Sequence, residues 1–141
     1  MLSASVSVDD KEVSRIARGF VVLLGIEKGD VEADAVELAE RLPRQRFFAD
    51  DAGKMNLSLS DIGGQVLAVS QFTLAADLSR GLRPSFDSAM PADRAEEIFK
   101  TFLAALRGQG VGVKEGVFGA HMHVELINDG PVTFVLEGAS K

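Results

Sequence analysis

The sequence predicts an α+β fold, a single compact domain in which a curved, mostly antiparallel sheet packs against two helices. Short apolar and β-branched runs recur along the chain with turn residues between them, which is typical of strands. Two longer segments instead repeat their apolar residues at helical spacing. The 141 residues are 46% hydrophobic, enough for one domain spanning 1–141 with a core of its own.

The first part of the chain predicts a hairpin, a buried strand and a helix. Residues 4–16 alternate in polarity around Asp9-Asp10, as two strands joined by a tight turn do. Residues 19–26 are almost wholly apolar, so we expect a strand at the centre of the sheet, covered on both faces. Asp30 is the predicted cap of a helix that Pro43 ends.

A second buried strand is predicted in the middle of the chain, at residues 65–74. Shorter strands are expected before it at 44–48 and 55–59, on either side of a turn at 50–54. Residues 75–90 have no periodicity, and a loop of this length in a compact domain is more often functional than idle.

The last part of the chain opens with the clearest helical pattern. Pro91 suits the first turn of this helix, and Gly108 and Gly110 end it. Its predicted buried stripe is Ala95, Ile98, Phe99, Phe102, Leu103 and Leu106. Short strands are expected after it at 111–114, 117–118, 121–127 and 132–137.

Candidate chemistry lies where the central strand ends, at Ser70, Gln71, Phe72 and Thr73. Two hydroxyls and a carboxamide there supply hydrogen-bond donors and acceptors at the exit of an apolar strand. The same side chains also suit a purely local role, in which they satisfy nearby backbone groups. The residues alone leave both readings open.

Composition argues against several classes of function. The net charge of −6 disfavours wrapping long nucleic acids, although Arg80 and Arg83 leave room for a local basic patch. No cysteine is present, and the alternating His121 and His123 suit one strand face better than a metal cage, so we expect no metal and no cofactor. Without a long apolar run or a signal-like start, a soluble cytoplasmic protein is expected.

Five segments in order resemble the D-aminoacyl-tRNA deacylases of the bacterial and eukaryotic type, over nearly the whole chain. They are Leu-Leu-Gly-Ile-Glu-Lys-Gly-Asp at 23–30, Gly-Lys-Met-Asn-Leu-Ser-Leu at 53–59, Ser-Gln-Phe-Thr-Leu at 70–74, Arg-Pro-Ser-Phe at 83–86 and Asn-Asp-Gly-Pro-Val-Thr at 128–133. The resemblance implies a homodimeric hydrolase that binds the acceptor end of aminoacyl-tRNA, and neither DNA nor a membrane. It would cleave the ester of D-aminoacyl-tRNA, or of glycyl-tRNA mischarged on tRNA-Ala, as proofreading in translation quality control.

The resemblance also implies roles for particular residues. Ser70 to Thr73 would line the catalytic pocket, and a cis Gly130-Pro131 pair from the partner subunit would be inserted into it. Phe118 and Met122 match pocket positions of the pattern Phe-Gly-Ala-x-Met. Arg80 and Arg83 would contact tRNA phosphates or the dimer partner, unless they belong only to a solvated loop.

The chemistry expected of such a site needs no strong nucleophile, because an aminoacyl ester is already activated. A placed water and donors aimed at the oxyanion suffice, and backbone amides near Gln71 and Phe72 are candidates. No Ser-His-Asp set has credible placement. We therefore expect main-chain catalysis helped by the ribose 2′-hydroxyl, with a Thr73 nucleophile as the second hypothesis.

The sequence departs from the family pattern at its start. The family has a strand with Gln-Arg-Val ahead of the segment matched by residues 3–6, and here Met1-Leu2 stands in its place. We therefore expect residues 4–8 to present an unpaired edge or an uncovered apolar face. Pro43 and Gln45 replace apolar residues of the pattern. Two rival functions remain, a non-catalytic module that holds tRNA ends, as in synthetase editing domains, and a dimer that binds a small metabolite.

Overall fold

Two three-stranded sheets, a short hairpin and two helices make up the fold, and this confirms the predicted α+β class. The computed structural model describes residues 1–139. The elements are β1 (Ser3–Val8), β2 (Lys11–Ile16), β3 (Gly19–Leu24), α1 (Glu32–Arg41), β4 (Phe48–Ala49), β5 (Met55–Leu57), β6 (Gln65–Ser70), α2 (Ala92–Gly108), β7 (Gly112–Glu115) and β8 (His123–Ile127). Two 3-10 turns, Leu42–Arg44 and Phe72–Ala75, follow α1 and β6.

A parallel sheet in the order β3-β6-β7 lies at the centre of the molecule. Its strands run the same way because α1 crosses from β3 to β6 and α2 crosses from β6 to β7, and such crossovers return the chain in its original direction. The middle strand is therefore β6. The expectation that residues 19–26 occupy the centre is wrong, since β3 lies at the edge of this sheet.

An antiparallel sheet in the order β2-β1-β8 packs beside it. The predicted hairpin is present, and Asp9 and Asp10 make its turn with φ of 50° and 63°. β1 has a partner on each side, so the expectation of an unpaired edge at residues 4–8 is wrong. Within residues 1–139, the edge strands of the two three-stranded sheets are β2 and β8 in one and β3 and β7 in the other.

Strand β6 is buried on both faces, and its alternating side chains enter two cores. Val66 and Ala68 point to the helices, where the stripe of α2 is buried as predicted. Leu67 and Val69 point the other way, to a smaller core shared with β1 and β2. Each fully buried aliphatic side chain of this kind contributes about 1.5–3 kcal/mol, so β6 is the strand on which both layers depend.

The two helices are tied together by an ion pair. Arg94 of α2 donates to both carboxylate oxygens of Glu32 at the start of α1, at 2.5 and 2.8 Å. Asp30 is not the helix cap that we expected. Its carboxylate instead accepts the N–H of Glu27 at 2.8 Å, and Val31 occupies the cap position.

Three predicted strands are shorter than expected or absent. Of the strand predicted at 44–48, only Phe48 is in a strand, β4, because the 3-10 turn that contains Pro43 extends to Arg44. Residues 117–118 lie in a turn, closed by an N–H from Ala120 to the Val117 carbonyl at 3.1 Å. Residues 132–137 form no strand, because no other strand of the described chain pairs with them.

We predict that Gly19→Ala strongly destabilises the protein. A Cβ at this position would lie 1.8 Å from the backbone oxygen of Gln65, so β3 and β6 would have to separate. The expected loss of unfolding free energy is about 2 kcal/mol or more, measured by denaturant unfolding.

The matched control is Gly108→Ala, in the last turn of α2, where an added Cβ meets no atom within 4 Å. That variant should be neutral or more stable by up to about 1 kcal/mol, because alanine favours the helix. Equal stability of the two variants would contradict the tight β3-β6 contact.

Candidate active site

The candidate site begins where β6 leaves the parallel sheet. Ser70 lies opposite Leu24 at the end of β3, and the N–H of Gln71 donates to the Leu24 carbonyl at 2.8 Å. The chain then turns into the 3-10 segment Phe72–Ala75. Leu74 packs so closely on Gly25 that a Cβ there would lie 2.8 Å from the Leu74 Cβ, and this contact holds the turn against the sheet.

The polar groups of this turn differ from the expectation in one respect. Because the Gln71 N–H already bonds to Leu24, it is not the free donor that we expected. Within residues 1–139, the backbone N–H groups of Phe72 and Thr73 have no backbone or side-chain acceptor, as is usual in the first turn of a helix. They are the main-chain donors that remain at the site.

The side chains of Gln71 and Thr73 form a hydrogen bond with each other. The Gln71 carboxamide Nε2 donates to the Thr73 hydroxyl Oγ1. Both side chains lie at the surface of the turn, where solvent and a ligand can reach them. The hydroxyl thus has a fixed acceptor role, and its own proton is left for another partner.

An aromatic pair covers one side of the turn. The rings of Phe72 and Phe86 meet edge to face with centroids 5.1 Å apart, and 57% of Phe72 is exposed. Phe86 is brought there by the loop at 75–90, whose base is closed by two backbone hydrogen bonds between Asp77 and Ser85, at 2.8 and 2.9 Å. Phe86 belongs to the sequence motif Arg-Pro-Ser-Phe at 83–86, but that motif did not predict its contact with the Phe72 ring.

The tip of this loop projects into solvent. Hydrogen bonds from Ser79 lower the pKa of the Asp77 carboxyl and hold the loop neck. Arg80 and Arg83 are exposed beyond it, and among the described residues no carboxylate forms an ion pair with either. Two guanidinium groups are therefore available to an anionic partner.

The segment that carries Phe118 and Met122 lies beside the end of β6. The N–H of Gly116 donates to the Ala68 carbonyl at 3.1 Å, which anchors the segment. Met122 is half-buried against the smaller core, while Phe118 packs at 6.0 Å from the Phe99 ring of α2. The two side chains thus pack against different cores, Phe118 against the larger one and Met122 against the smaller one.

Gly130 and Pro131 lie at the other end of the sheets, and the bond between them is cis, as the resemblance implied. β8 ends at Ile127, whose carbonyl accepts the N–H of Leu2. The Asp129 carboxylate is close enough to the Met1 ammonium to raise its pKa, against the larger effect of desolvation, which lowers it.

The distance from this loop to the candidate site follows from strand pairing. Met1 pairs with Gly19, and Gly19 lies opposite Gln65, the first residue of β6. Ser70 is the last residue of that strand, about 17 Å away at the usual rise per residue. One chain therefore keeps Gly130-Pro131 apart from Ser70 to Thr73.

A large cavity lies away from the candidate site. It has a volume of about 750 Å³ and runs along β3, between that strand and residues 132–138. It reaches the site only through Leu74 and Ala75. No sequence pattern indicated this cavity, because it depends on which strands pair.

Residues 1–139 contain neither a cluster of metal-ligating side chains nor a helix that could span a membrane. No three side chains of His, Asp or Glu come together there as a metal site would require, and His121 and His123 only contact each other, with ring centroids 5.5 Å apart. Neither α1 nor α2 is long and apolar enough to cross a membrane.

Comparisons with known proteins agree with the resemblance seen in the sequence. The family model described as D-Tyr-tRNA(Tyr) deacylase matches residues 1–137. The D-aminoacyl-tRNA deacylase of Pelobacter propionicus is 54% identical over 135 residues, covering 96% of this chain and 93% of that protein. The one of Geobacter sulfurreducens is 51% identical over 138 residues, covering 98% and 91%.

Solved structures with the same fold include two proteins of different printed function. A c-Myc DNA unwinding element binding protein superposes with a TM-score of 0.90 at 39% identity, over 97% of this chain and 93% of the other. A probable eukaryotic D-amino acid tRNA deacylase gives a TM-score of 0.78 at 18% identity, which shows a shared fold. With a family model over 137 residues and relatives above 50% identity, this chain belongs to the D-aminoacyl-tRNA deacylase family, hydrolases that act on ester bonds.

Proposed function

We propose that this protein hydrolyses the ester of D-aminoacyl-tRNA, and of glycyl-tRNA mischarged on tRNA-Ala, in the cytoplasm. The products are the free amino acid and tRNA, so the activity is a proofreading step of translation. The single observation that carries the proposal is the end of β6, where two unpaired backbone N–H groups lie beside the ordered Gln71-Thr73 pair. The family membership supplies the substrate class.

The backbone N–H groups of Phe72 and Thr73 stabilise the transition state. Water attacks the ester carbonyl carbon, and the negative charge that develops on the carbonyl oxygen is bound by these donors. The bond to the ribose 3′-oxygen then breaks, and the neighbouring 2′-hydroxyl helps to pass the proton that this oxygen takes up. Such preorganised donors suffice because the ester is already activated.

The Thr73 hydroxyl positions the substrate in this mechanism and does not attack it. A nucleophilic hydroxyl needs a base that accepts its proton. Here Oγ1 accepts a hydrogen bond from the Gln71 carboxamide, whose Nε2 is a donor and cannot act as that base. The hydroxyl proton is left to bind a substrate acceptor.

Chirality is selected by Gly130-Pro131 of a second subunit. In one chain this loop lies at the opposite end of β6 from the site, so an action on the same substrate requires a homodimer. Backbone carbonyls presented there accept the substrate ammonium and leave no room for an L side chain. Phe118 and Met122 complete the wall beside Ser70.

The acceptor end of tRNA approaches over the 75–90 loop. Arg80 and Arg83 bind phosphates there, while the exposed Phe72 and Phe86 rings offer a face for the terminal base. The rest of the protein, with net charge −6, does not attract long nucleic acids. That charge favours a tRNA end over a long DNA, the nucleic acid in the name of the similar c-Myc DNA unwinding element binding protein.

Turnover with matched substrates tests the proposed function. We expect D-aminoacyl-tRNA and glycyl-tRNA to be deacylated and L-aminoacyl-tRNA to be left intact, because the wedge excludes the L side chain and does not select the D side chain. EDTA should not change the rates. Binding of the tRNA end without turnover would support the non-catalytic module, and zinc-restored activity after EDTA would contradict a metal-free site.

Thr73→Ala separates the two hypotheses for the hydroxyl. We expect kcat to fall about tenfold or less, since only substrate positioning is lost. Thr101→Ala is the matched control, because that hydroxyl bonds to the Glu97 carbonyl on the helix α2, and it should keep full activity. A fall in kcat of about 1000-fold or more in a folded Thr73 variant would make Thr73 the nucleophile.

Mixed dimers test whether the wedge comes from the partner. One variant blocks the pocket with Thr73→Trp, and the other removes the wedge by replacing Gly130-Pro131 with Ala-Ala. Each alone should be inactive, but a mixed dimer has one site with neither change, so activity should return on mixing. A monomeric mass in light scattering with activity retained, or no recovery in isolated mixed dimers, would overturn the dimer proposal.

A further inference from the structure

The sulfur of Met122 closes a turn near the end of β6. The turn begins at Gly116, whose N–H donates to the Ala68 carbonyl at 3.1 Å. The next N–H, that of Val117, donates to the Met122 Sδ at 3.4 Å, and the Val117 carbonyl accepts the N–H of Ala120. Within residues 1–139, the Val117 N–H has no other acceptor. A thioether is a weak acceptor, so the closure of this turn depends on the chemical state of one sulfur atom.

The space around this sulfur is already filled. A Cβ at Gly116 would lie 2.6 Å from Sδ, and methyl groups of Val69 and Val6 lie 3.5 and 3.7 Å from the same point. The Met122 side chain packs on the smaller core, whose buried members are all aliphatic. These side chains offer no hydrogen-bond donor to an oxygen atom on the sulfur. A sulfoxide therefore does not fit where the thioether lies.

Solvent nevertheless reaches the turn. Val117 is 44% exposed, and Met122 is only half-buried. Of the four methionines, Met55 is more exposed, at 52%, but no hydrogen bond of the described chain ends on its sulfur. Met122 is thus the methionine at which a change in the sulfur would act on the backbone.

We propose that Met122 is a peroxide-sensitive modification site, whose oxidation opens the turn at 116–122. Hydrogen peroxide transfers one oxygen atom to the sulfur, so the thioether becomes a sulfoxide and the peroxide is reduced to water. The polar sulfoxide oxygen leaves the aliphatic core for solvent. The side chain turns outward with it, and the Val117 N–H loses its acceptor. A dithiol-dependent sulfoxide reductase reverses the step, because the dithiol is oxidised to a disulfide while the oxygen leaves as water.

Opening this turn changes the surface beside the end of β6. Gly116 follows β7 directly, and its partner Ala68 lies two residues before Ser70 on β6. The 3-10 turn Phe72–Ala75 is bonded to β3 and is left in place. An effect of oxidation on ester hydrolysis would rest on the proposed function, whereas the opening of the turn does not.

Peroxide treatment of three proteins tests this site without any tRNA. They are the wild type, Met122→Leu, which keeps the side-chain volume but has no sulfur, and the matched control Met55→Leu, which removes the more exposed sulfur. Mass spectrometry of peptides follows sulfoxide formation at each methionine. Amide hydrogen exchange is measured before and after treatment.

We expect the amides of Gly116 and Val117 to exchange about tenfold faster once Met122 is oxidised, in the wild type and in Met55→Leu alike. Exchange in Met122→Leu should not respond to peroxide. The amides of α2 should stay protected in all three proteins, because the change is confined to the turn.

Four outcomes would overturn the proposal. The first is a Met122 that stays a thioether after Met55 is fully oxidised, and the second is oxidation of Met122 with unchanged exchange at Val117. The third is a response of Met122→Leu equal to that of the wild type, and the fourth is lost protection in α2, which would show global unfolding. Because no readout involves ester hydrolysis, failure here leaves the proposed function untouched, and failure there leaves this site untouched.

Discussion

The parallel contact between β3 and β6 is the constraint on which the rest of the structure depends. At Gly19 the two strands approach so closely that no side chain fits, and the resulting register places the Leu24 carbonyl opposite the Gln71 N–H. That bond ends the strand and begins the 3-10 turn. The two unpaired N–H groups of the turn therefore owe their position to a contact five residues away, at the other end of the sheet. A site that relies on backbone donors needs this rigidity, because main-chain groups cannot adjust as side chains do.

The same register explains why one chain does not assemble all of the predicted site. Backbone hydrogen bonds join Ile127 to Leu2 and Met1 to Gly19, and Gly19 lies opposite Gln65, the first residue of β6. The loop with Gly130-Pro131 therefore lies toward the start of β6. The polar turn is fixed at its end. Both positions follow from backbone hydrogen bonds of the two sheets. The two-fold dimer that we propose, in which each loop meets the other chain's turn, would resolve this geometry with one repeated interface.

Local patterns predicted local structure well. The α2 stripe, the Asp9-Asp10 hairpin and the burial of Val66 to Val69 each depend on residues near in sequence, and each is present. Strand order was not predictable in this way, because an apolar run such as 19–26 suits an edge of a covered sheet as well as its centre. Of the two expected donors, the Phe72 N–H is free but the Gln71 N–H is not, because its bond to the Leu24 carbonyl depends on the register with β3. Asp30 does not cap α1, because its carboxylate accepts the N–H of Glu27 and the cap position falls at Val31.

Residues 132–137 show that strand propensity acts only when a partner backbone is present. Their sequence favours a strand, yet without a ladder to join they stay irregular, held by side chains such as Phe134 and Leu136. This segment follows Pro131 directly and lines the cavity along β3, and Leu74, the residue after Thr73, lines the same cavity. The chain segments next to both halves of the proposed site therefore border one cavity, although strand pairing keeps Gly130-Pro131 and the Phe72–Ala75 turn at different ends of β6.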